Sequence, residues 1–193
     1  MNDENEVTRV IKGRRSIRNY SDRVVPDELI ERLIDMGIHA PSALALFPWS
    51  FIVVKDKGMM KRISEYVKPQ ILAELKNAKR VGMTQRYLDM VGEERFSIFY
   101  NAPCLLLILG KNDAPIADVD CALCAQNIML AAHSMDLGTC WIGSARHLEK
   151  NPGLVEELGI PDEYHLVSSL VLGYPAEKPE KPARPEPSVN WIK

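Results

Sequence analysis

Six consecutive apolar residues, Cys104-Leu-Leu-Leu-Ile-Leu109, form the longest uninterrupted apolar run in the chain. A bilayer span needs roughly 20 such residues, so this run reads as a buried strand, ended by Gly110. Three further stretches carry strand character: Phe51–Val54, Thr139–Ile142 and the longer His165–Leu172. A buried strand needs elements to cover it, and the intervening segments supply helices.

One helix is expected over residues 5–13. Another starts at Pro26, a favoured first helical position, with Asp27 and Glu28 complementing the positive end of its dipole. Leu29, Ile30, Leu33, Ile34 and Ile38 recur at helical spacing, and Pro41 stops the pattern. Residues 58–100 are helical in pattern, with Gly82 and Gly92 as breaks. A long helix is expected over 119–135, with Leu123, Asn127, Leu130 and Ser134 along one side and Gly138 closing it. A short helix follows Pro152. Strands interleaved with helices give a mixed α/β or α+β domain, its helices packed on a small sheet.

The 193 residues suit one domain, over 1–174, followed by a different kind of segment over 175–193. Pro175, Pro179, Pro182, Pro185 and Pro187 forbid a helix there and disfavour a central strand. The segment is an extended arm with an apolar tip, Val189-Asn-Trp-Ile192. Such a tip is expected to dock, on a partner subunit's sheet edge or on its own subunit.

With 24 basic and 26 acidic residues the net charge is −2. No general attraction to nucleic acid or to an anionic membrane follows, and any anion site must be local. The acidic, polar start Met1–Glu6 has neither a cationic nor an apolar region, so no secretory signal is expected. A cytoplasmic location follows, with Cys104, Cys121, Cys124 and Cys140 reduced. Cys121-Ala-Leu-Cys124 invites a redox or zinc reading, but Asp118 and Asp120 stand beside it and no second pair completes a metal site. Small buried helix residues account for it better. His39, His133, His147 and His165 are scattered and expected to be structural or at the surface.

Four constellations carry chemistry. Arg14-Arg15-Ser16-Ile17-Arg18 packs three guanidiniums and a hydroxyl into five residues, a donor set matched to phosphate oxygens; a solvated basic loop would look the same. In the arm, Lys178-Pro179, Lys181-Pro182 and Arg184-Pro185 place a cation every three residues. Polyproline II has three residues per turn, so these cations share one edge, roughly 9 Å apart. The third is the apolar, proline-bounded connection Ala40–Phe51, suited to lining a flat surface, although Trp49 also reads as core. In the fourth, Gly138-Thr-Cys-Trp-Ile-Gly143, glycine allows close backbone approach to a ligand.

Together these resemble the nitroreductase family of FMN enzymes over nearly the whole chain. The matching segments run in family order: 14–20, Val25-Pro-Asp-Glu28, Ala40-Pro-Ser-Ala43, Pro48–Val54, Asn101-Ala-Pro103, Ala125–Ala132, Gly138–Gly143 and Leu172-Gly-Tyr-Pro175. The resemblance implies an α+β fold with a helix-flanked, mostly antiparallel sheet, in an intertwined homodimer with an exchanged C-terminal arm. It implies FMN held by Arg14 and Ser16 at the phosphate and Arg18 at the pyrimidine edge of the ring. Arg15 would contribute through backbone or neighbouring contacts, and Lys181 and Arg184 would complete the phosphate site. Pro41, Ser42 and Ala43 would come from the other subunit, and Ile142 and Gly143 would turn backbone N–H groups to flavin N5.

One departure stands out: where the family commonly has Asn and Gln in Pro-Ser-x-x-Asn-x-Gln-Pro-Trp, this chain has Ala45 and Phe47. That implies a more apolar or altered acceptor pocket.

The implied activity is hydride transfer from NADH or NADPH, through the flavin, to a nitroaromatic, quinone or flavin by a ping-pong mechanism. No catalytic side chain and no metal are needed, because the cofactor carries the chemistry. The alternatives are specialised flavin chemistry on the same fold, reductive dehalogenation or flavin fragmentation, and a flavin-binding dimer without turnover. Arg18 is the residue placed to stabilise reduced, anionic flavin. Arg18→Ala is therefore expected to make bound flavin harder to reduce; an unchanged midpoint potential would discredit the role.

Overall fold

Alternation along the 104–109 run explains the architecture. The computed structural model describes residues 4–77, 83–177 and 179–193. The run lies in β2 (Cys104–Lys111), which pairs antiparallel with β1 (Trp49–Val54) on one side and β4 (Tyr164–Gly173) on the other. β3 (Gly138–Trp141) pairs antiparallel with the far edge of β4, giving the order β1-β2-β4-β3. Successive strand residues face opposite ways. Leu105, Leu107 and Leu109 join one core, and Cys104, Leu106 and Ile108 join the other. With both faces covered, the strand has no polar side, which is why the sequence shows a continuous apolar run.

The first core is roofed by α3 (Lys57–Asn77), α4 (Met83–Gly92), the 3₁₀ segment Gly143–Lys150 and α6 (Pro152–Leu158). The second is closed by α2 (Asp27–Ile38) and α5 (Ala117–Ser134), which pack on each other. The arrangement is an α+β fold with a four-stranded antiparallel sheet between helical layers. Among the described residues no helix is long and apolar enough to cross a membrane.

A β-bulge sits where the β2–β4 register slips between Ile108, opposite Ser168, and Leu109, opposite Leu166. The slip inserts one residue and reverses the facing of β4 beyond it. Leu166 therefore packs in the first core while Leu170 and Leu172 pack in the second.

Several expectations shift. α2 begins at Asp27 with Pro26 as its N-cap. β2 runs past Gly110 to Lys111, and a side chain at Gly110 would strike Val167 and Ala117. α5 closes before Gly138. Asp136 takes the left-handed conformation (φ 58°) and the Leu137 N–H donates to the Ala132 carbonyl over 2.8 Å, leaving Gly138 to open β3. The buried side of α5 is Cys121, Cys124, Ala125, Ile128 and Ala132; Leu123, on the side it shares with Asn127, Leu130 and Ser134, is exposed. α3 runs through Pro69, and Gly92 ends α4 as its break predicts; Gly82 lies outside the described residues. Residues 93–103 are turns instead of helix, held by the Lys68 ammonium donating to the Glu93 and Phe96 carbonyls.

All four cysteines are free and buried. Burial, and for Cys121 also Cys124 and the two aspartates, pushes the thiols of Cys104, Cys121 and Cys124 up to about 12. The Cys-x-x-Cys pair is packing material, as its acidic neighbours imply. An unfolded cysteine ionises near 8.5 by contrast (roughly, for model peptides). Above that pH the native chain holds more protons than the unfolded one, so stability falls as pH rises from about 8.5 towards 12. Urea midpoints are expected to drop between pH 8 and pH 10, and to drop less in a Cys121→Ala/Cys124→Ala variant. Equal slopes would show that these thiols titrate normally.

Candidate functional site

The basic cluster begins where the first helix stops. α1 (Glu6–Gly13) is capped by the Asn5 side chain, which accepts from the Thr8 N–H, and the chain leaves it extended at Arg14 (φ −55°, ψ 135°). The Ile17 N–H donates to the Thr139 carbonyl over 2.9 Å, and Ser16 pairs with Thr139 in a parallel bridge. Period-two alternation then puts Arg14, Ser16 and Arg18 on one face while Ile17 is buried on the other. Arg15 turns back, its Nη1 donating to the Lys12 and Arg14 carbonyls at 2.8 and 2.6 Å.

The arm is tied to the same segment. The Ser21 N–H donates to the Tyr174 carbonyl and the Ala176 N–H to the Asn19 carbonyl, at 2.9 and 3.0 Å. This docking returns the tail over the basic face. Arg14, Arg15 and Lys181 line one cleft of about 740 Å³, with His133 and Thr139, and with Asp136 and Glu177 as its acidic members. Burial first, then the neighbouring Arg15 and Arg184, pulls the Arg14 pKa below its ordinary value. Among the described residues no carboxylate forms an ion pair with any of these four cations. The third cation of the arm's edge, Lys178, lies outside the described residues.

Past Thr139 a smaller cavity of about 260 Å³ opens along the same strand. Its wall includes Arg18, Tyr87, Tyr100, Cys140, Gly143 and Ser144. Cys140 lies beneath the arginine face, within hydrogen-bonding reach of Ser16. Burial raises its thiol pKa against the opposing pull of Arg18 and Arg14. Gly143 opens a 3₁₀ turn, and no atom comes within 4 Å of where its Cβ would stand. A first-turn N–H has no intrahelical partner. Ile142 differs: its N–H donates to the Ser169 carbonyl over 2.8 Å. The expectation that Ile142 offers this group to a ligand is therefore corrected, because the sheet already uses it.

Pro41, Ser42, Ala43 and Ala45 stand apart and line neither cavity. Their loop is held from below by Asp120, only 2% exposed, whose carboxylate oxygens accept from the Ala43 N–H at 3.2 and 3.1 Å. The Ser42 hydroxyl accepts from the Phe47 N–H over 2.9 Å. Leu44, Ala45 and Phe47 all adopt positive φ (54°, 54° and 46°), and Leu44 is 84% exposed. Side chains in this conformation cost about 1–3 kcal/mol each, and the loop presents them outward.

Sequence reasoning passed over Tyr100, His133, Thr139 and Ser144 as cavity residues. Tyr87 also lines the smaller cavity, whereas Phe99 belongs to the core, Tyr66 packs against it, and Phe96 lines a separate hollow against α3. The tyrosine directly before Asn101-Ala-Pro103 was the available signal for Tyr100. Among the described residues no cluster could hold a metal ion. His147 is buried against Glu74, and His165 bridges Asn112 and Asp118 at the surface.

Comparison with known proteins points the same way as the geometry. Residues 11–174 match the model of the Nitroreductase family. A provisionally named NADH dehydrogenase/NAD(P)H nitroreductase of Methanothermobacter thermautotrophicus is 34% identical over 180 residues, which cover 90% of this chain and 80% of that protein. The FMN reductase [NAD(P)H] of Bacillus subtilis is 29% identical over 188 residues, 96% of this chain and 73% of that one. The crystal structure of a Desulfitobacterium hafniense nitroreductase with bound FMN superposes with a TM-score of 0.80 at 26% identity, covering 98% and 100% of the two chains.

The cleft depends on how closely β3 approaches the 14–18 segment. A Cβ at Gly138 would stand 2.5 Å from Ile17 Cγ1 and 2.7 Å from Ile17 Cβ, and the Ile17 backbone is pinned. Gly138→Ala is expected to lower stability by about 1–3 kcal/mol through overpacking, measured by urea denaturation. An unchanged midpoint would show that the two segments can part freely.

Proposed function

The chain belongs to the nitroreductase family, and we propose on that footing that it is an FMN-dependent NAD(P)H oxidoreductase for a small oxidised acceptor. One observation carries the reading. Cations from the two ends of the chain meet: Arg14, Arg15 and Lys181 line one cleft, Arg184 stands close enough to act on Arg14, and among the described residues none of the four forms an ion pair with a carboxylate. Like charges brought together in a half-buried place call for an anion to offset them. A phosphate monoester with its two charges fits that donor set, and arginine forks match its oxygens. FMN is bound in the Desulfitobacterium relative.

When bound, FMN supplies the two-electron chemistry that joins a nicotinamide donor to the acceptor. The residues do the rest. Arg14, Ser16, Lys181 and Arg184 bind the phosphate. Arg18, exposed at the mouth of the smaller cavity, offers positive charge to the polar edge of the ring. The Gly143 N–H is the backbone donor towards N5, with Ile142 serving the sheet. Donor and acceptor use the same open face in turn, which gives ping-pong kinetics. Acceptors of the nitroaromatic, quinone or flavin class suit a pocket walled by aromatic side chains.

The proposed working form is a cytoplasmic homodimer. Val7 and Ile11 of α1, Met36 of α2, Phe47 of the loop, and Val119 and Leu123 of α5 are all exposed apolar groups in one chain. Apolar exposure of this extent marks an interaction surface. The arm tip is barer still, Trp191 at 78% and Ile192 at 94% exposure. A second copy covers both, with the arms exchanged and Pro41, Ser42 and Ala43 of each chain reaching the other's cleft. The substitution of Ala45 and Phe47 makes that contribution apolar.

The absorption spectrum of purified protein, before and after NADH and NADPH, tests the reading. A yellow protein bleached by a nicotinamide and recoloured by a quinone or nitroaromatic supports it. A colourless protein that takes up no FMN overturns it, and a yellow protein bleached by neither nucleotide is a flavin binder without turnover. Arg14→Ala and Arg184→Ala are each expected to weaken FMN binding about 10- to 100-fold, the range for a charge-assisted hydrogen bond. Fluorescence quenching titrations of the flavin-stripped protein measure this.

A further inference from the structure

Among the described residues the Arg18 guanidinium has no carboxylate to hold it. An arginine carries several rotatable bonds, and fixing an exposed one costs about 2 kcal/mol of side-chain entropy. Its neighbours include Cys140, Tyr100 and Tyr20, and Tyr87 shares its cavity. Arg18 Cζ stands 5.8 Å from the centre of the Tyr100 ring, and the guanidinium is within hydrogen-bonding reach of the Tyr100 hydroxyl. One phenol thus offers two holds, the ring by cation–π attraction and the oxygen as acceptor. Burial keeps that phenol above its ordinary pKa despite the pull of Arg18, so it is neutral at pH 7. A neutral clamp fixes a cation without cancelling its charge.

The backbone beneath the clamp is strained. Tyr100 and Asn101 both have φ of 53°, two successive non-glycine residues in the left-handed region. Turn bonds hold them there, the Tyr100 N–H to the Ser97 carbonyl and the Ala102 N–H to the Phe99 carbonyl, at 2.9 and 3.0 Å. The result splits two consecutive aromatics: Phe99 is wholly buried, while Tyr100 lines the smaller cavity beside Arg18, its ring edge-on to Phe96 at 5.6 Å. Strain of this kind persists where the surroundings over-determine it. Core packing accounts for Phe99, and Tyr100 keeps part of its ring against that core and Phe96 while gaining contact with Arg18.

We infer that Tyr100 is a positioning residue: its ring and hydroxyl clamp the Arg18 guanidinium at the polar end of the smaller cavity, ready for negative charge that appears there on reduction. The inference rests on the proposed flavin reading, and goes beyond it in naming what keeps the cation in place. It separates tight binding of the cofactor, set at the phosphate cluster, from preference for its reduced form, set at the Tyr100–Arg18 pair.

Midpoint potentials of the FMN-loaded protein test it, alongside affinity for oxidised FMN and thermal stability. Tyr100→Leu is expected to weaken binding of reduced relative to oxidised FMN about tenfold, a fall of about 30 mV for a two-electron couple. Tyr100→Phe keeps the ring and should give a smaller fall of the same sign, which also carries the test should the leucine variant fold poorly. Affinity for oxidised FMN should change less than about twofold. In the double variant with Arg18→Ala, the tyrosine substitution should add nothing, because it acts through the arginine. A wild-type potential in both tyrosine variants, or a shift that adds fully to that of Arg18→Ala, overturns the clamp while the flavin reading stands. A wild-type protein that takes up no FMN removes both together.

Discussion

The N–H of Ile17 meets the carbonyl of Thr139 at 2.9 Å, and the geometry of the basic face follows from that bond. It fixes the 14–18 segment as an added, short strand beside β3, so alternation decides which arginines point together. Burial of Ile17 locks the choice, because a slip of one residue would turn Arg14 and Arg18 inward and leave the isoleucine in water. The tail then docks on residues 19–21 of the same segment. The two ends of the chain are brought into one place by a handful of backbone bonds, with no attraction between the charged groups themselves.

That placement is costly for the isolated chain. Burial foremost, then the nearby charges of Arg15 and Arg184, lowers the Arg14 pKa. The backbone bonds and the Ile17 anchor hold the cations where charge alone would drive them apart. Under the proposed flavin reading, a site held this way is pre-organised: an arriving dianion would find donors already aimed, and binding would relieve repulsion that folding had imposed. The smaller cavity uses a different device: among the described residues of its wall, Arg18 is a cation among neutral neighbours.

Much of this was legible in the sequence, for reasons that can be named. The 104–109 run gave β2 because a strand covered on both faces needs no alternation. The spacing of Leu29, Ile30 and Leu33 gave α2, and prolines marked the arm. The arginine cluster was legible as donors, though not their common face, which depends on pairing with β3. Other features left no local mark. The bulge near Val167 changes facing by one residue without any glycine to signal it. α5 is apolar on both its buried and exposed sides, so periodicity could not say which is which. Ile142 was misread because whether an N–H is free depends on which strand lies beside it. Tyr100 was passed over because tyrosine gives no hint of a left-handed backbone.

α5 touches both regions that matter. Asp120 in its first turn grips the Ala43 amide, and His133 in its last turn borders the basic cleft. Between them lies roughly 20 Å of continuous helix, clamped to the sheet by small residues that leave no room to slide. The helix therefore acts as a ruler. Substitutions in the outer loop can repaint its surface, as Ala45 and Phe47 do, but they cannot alter its distance from the cleft. Chemistry at the rim is free to diverge while the spacing underneath stays constant.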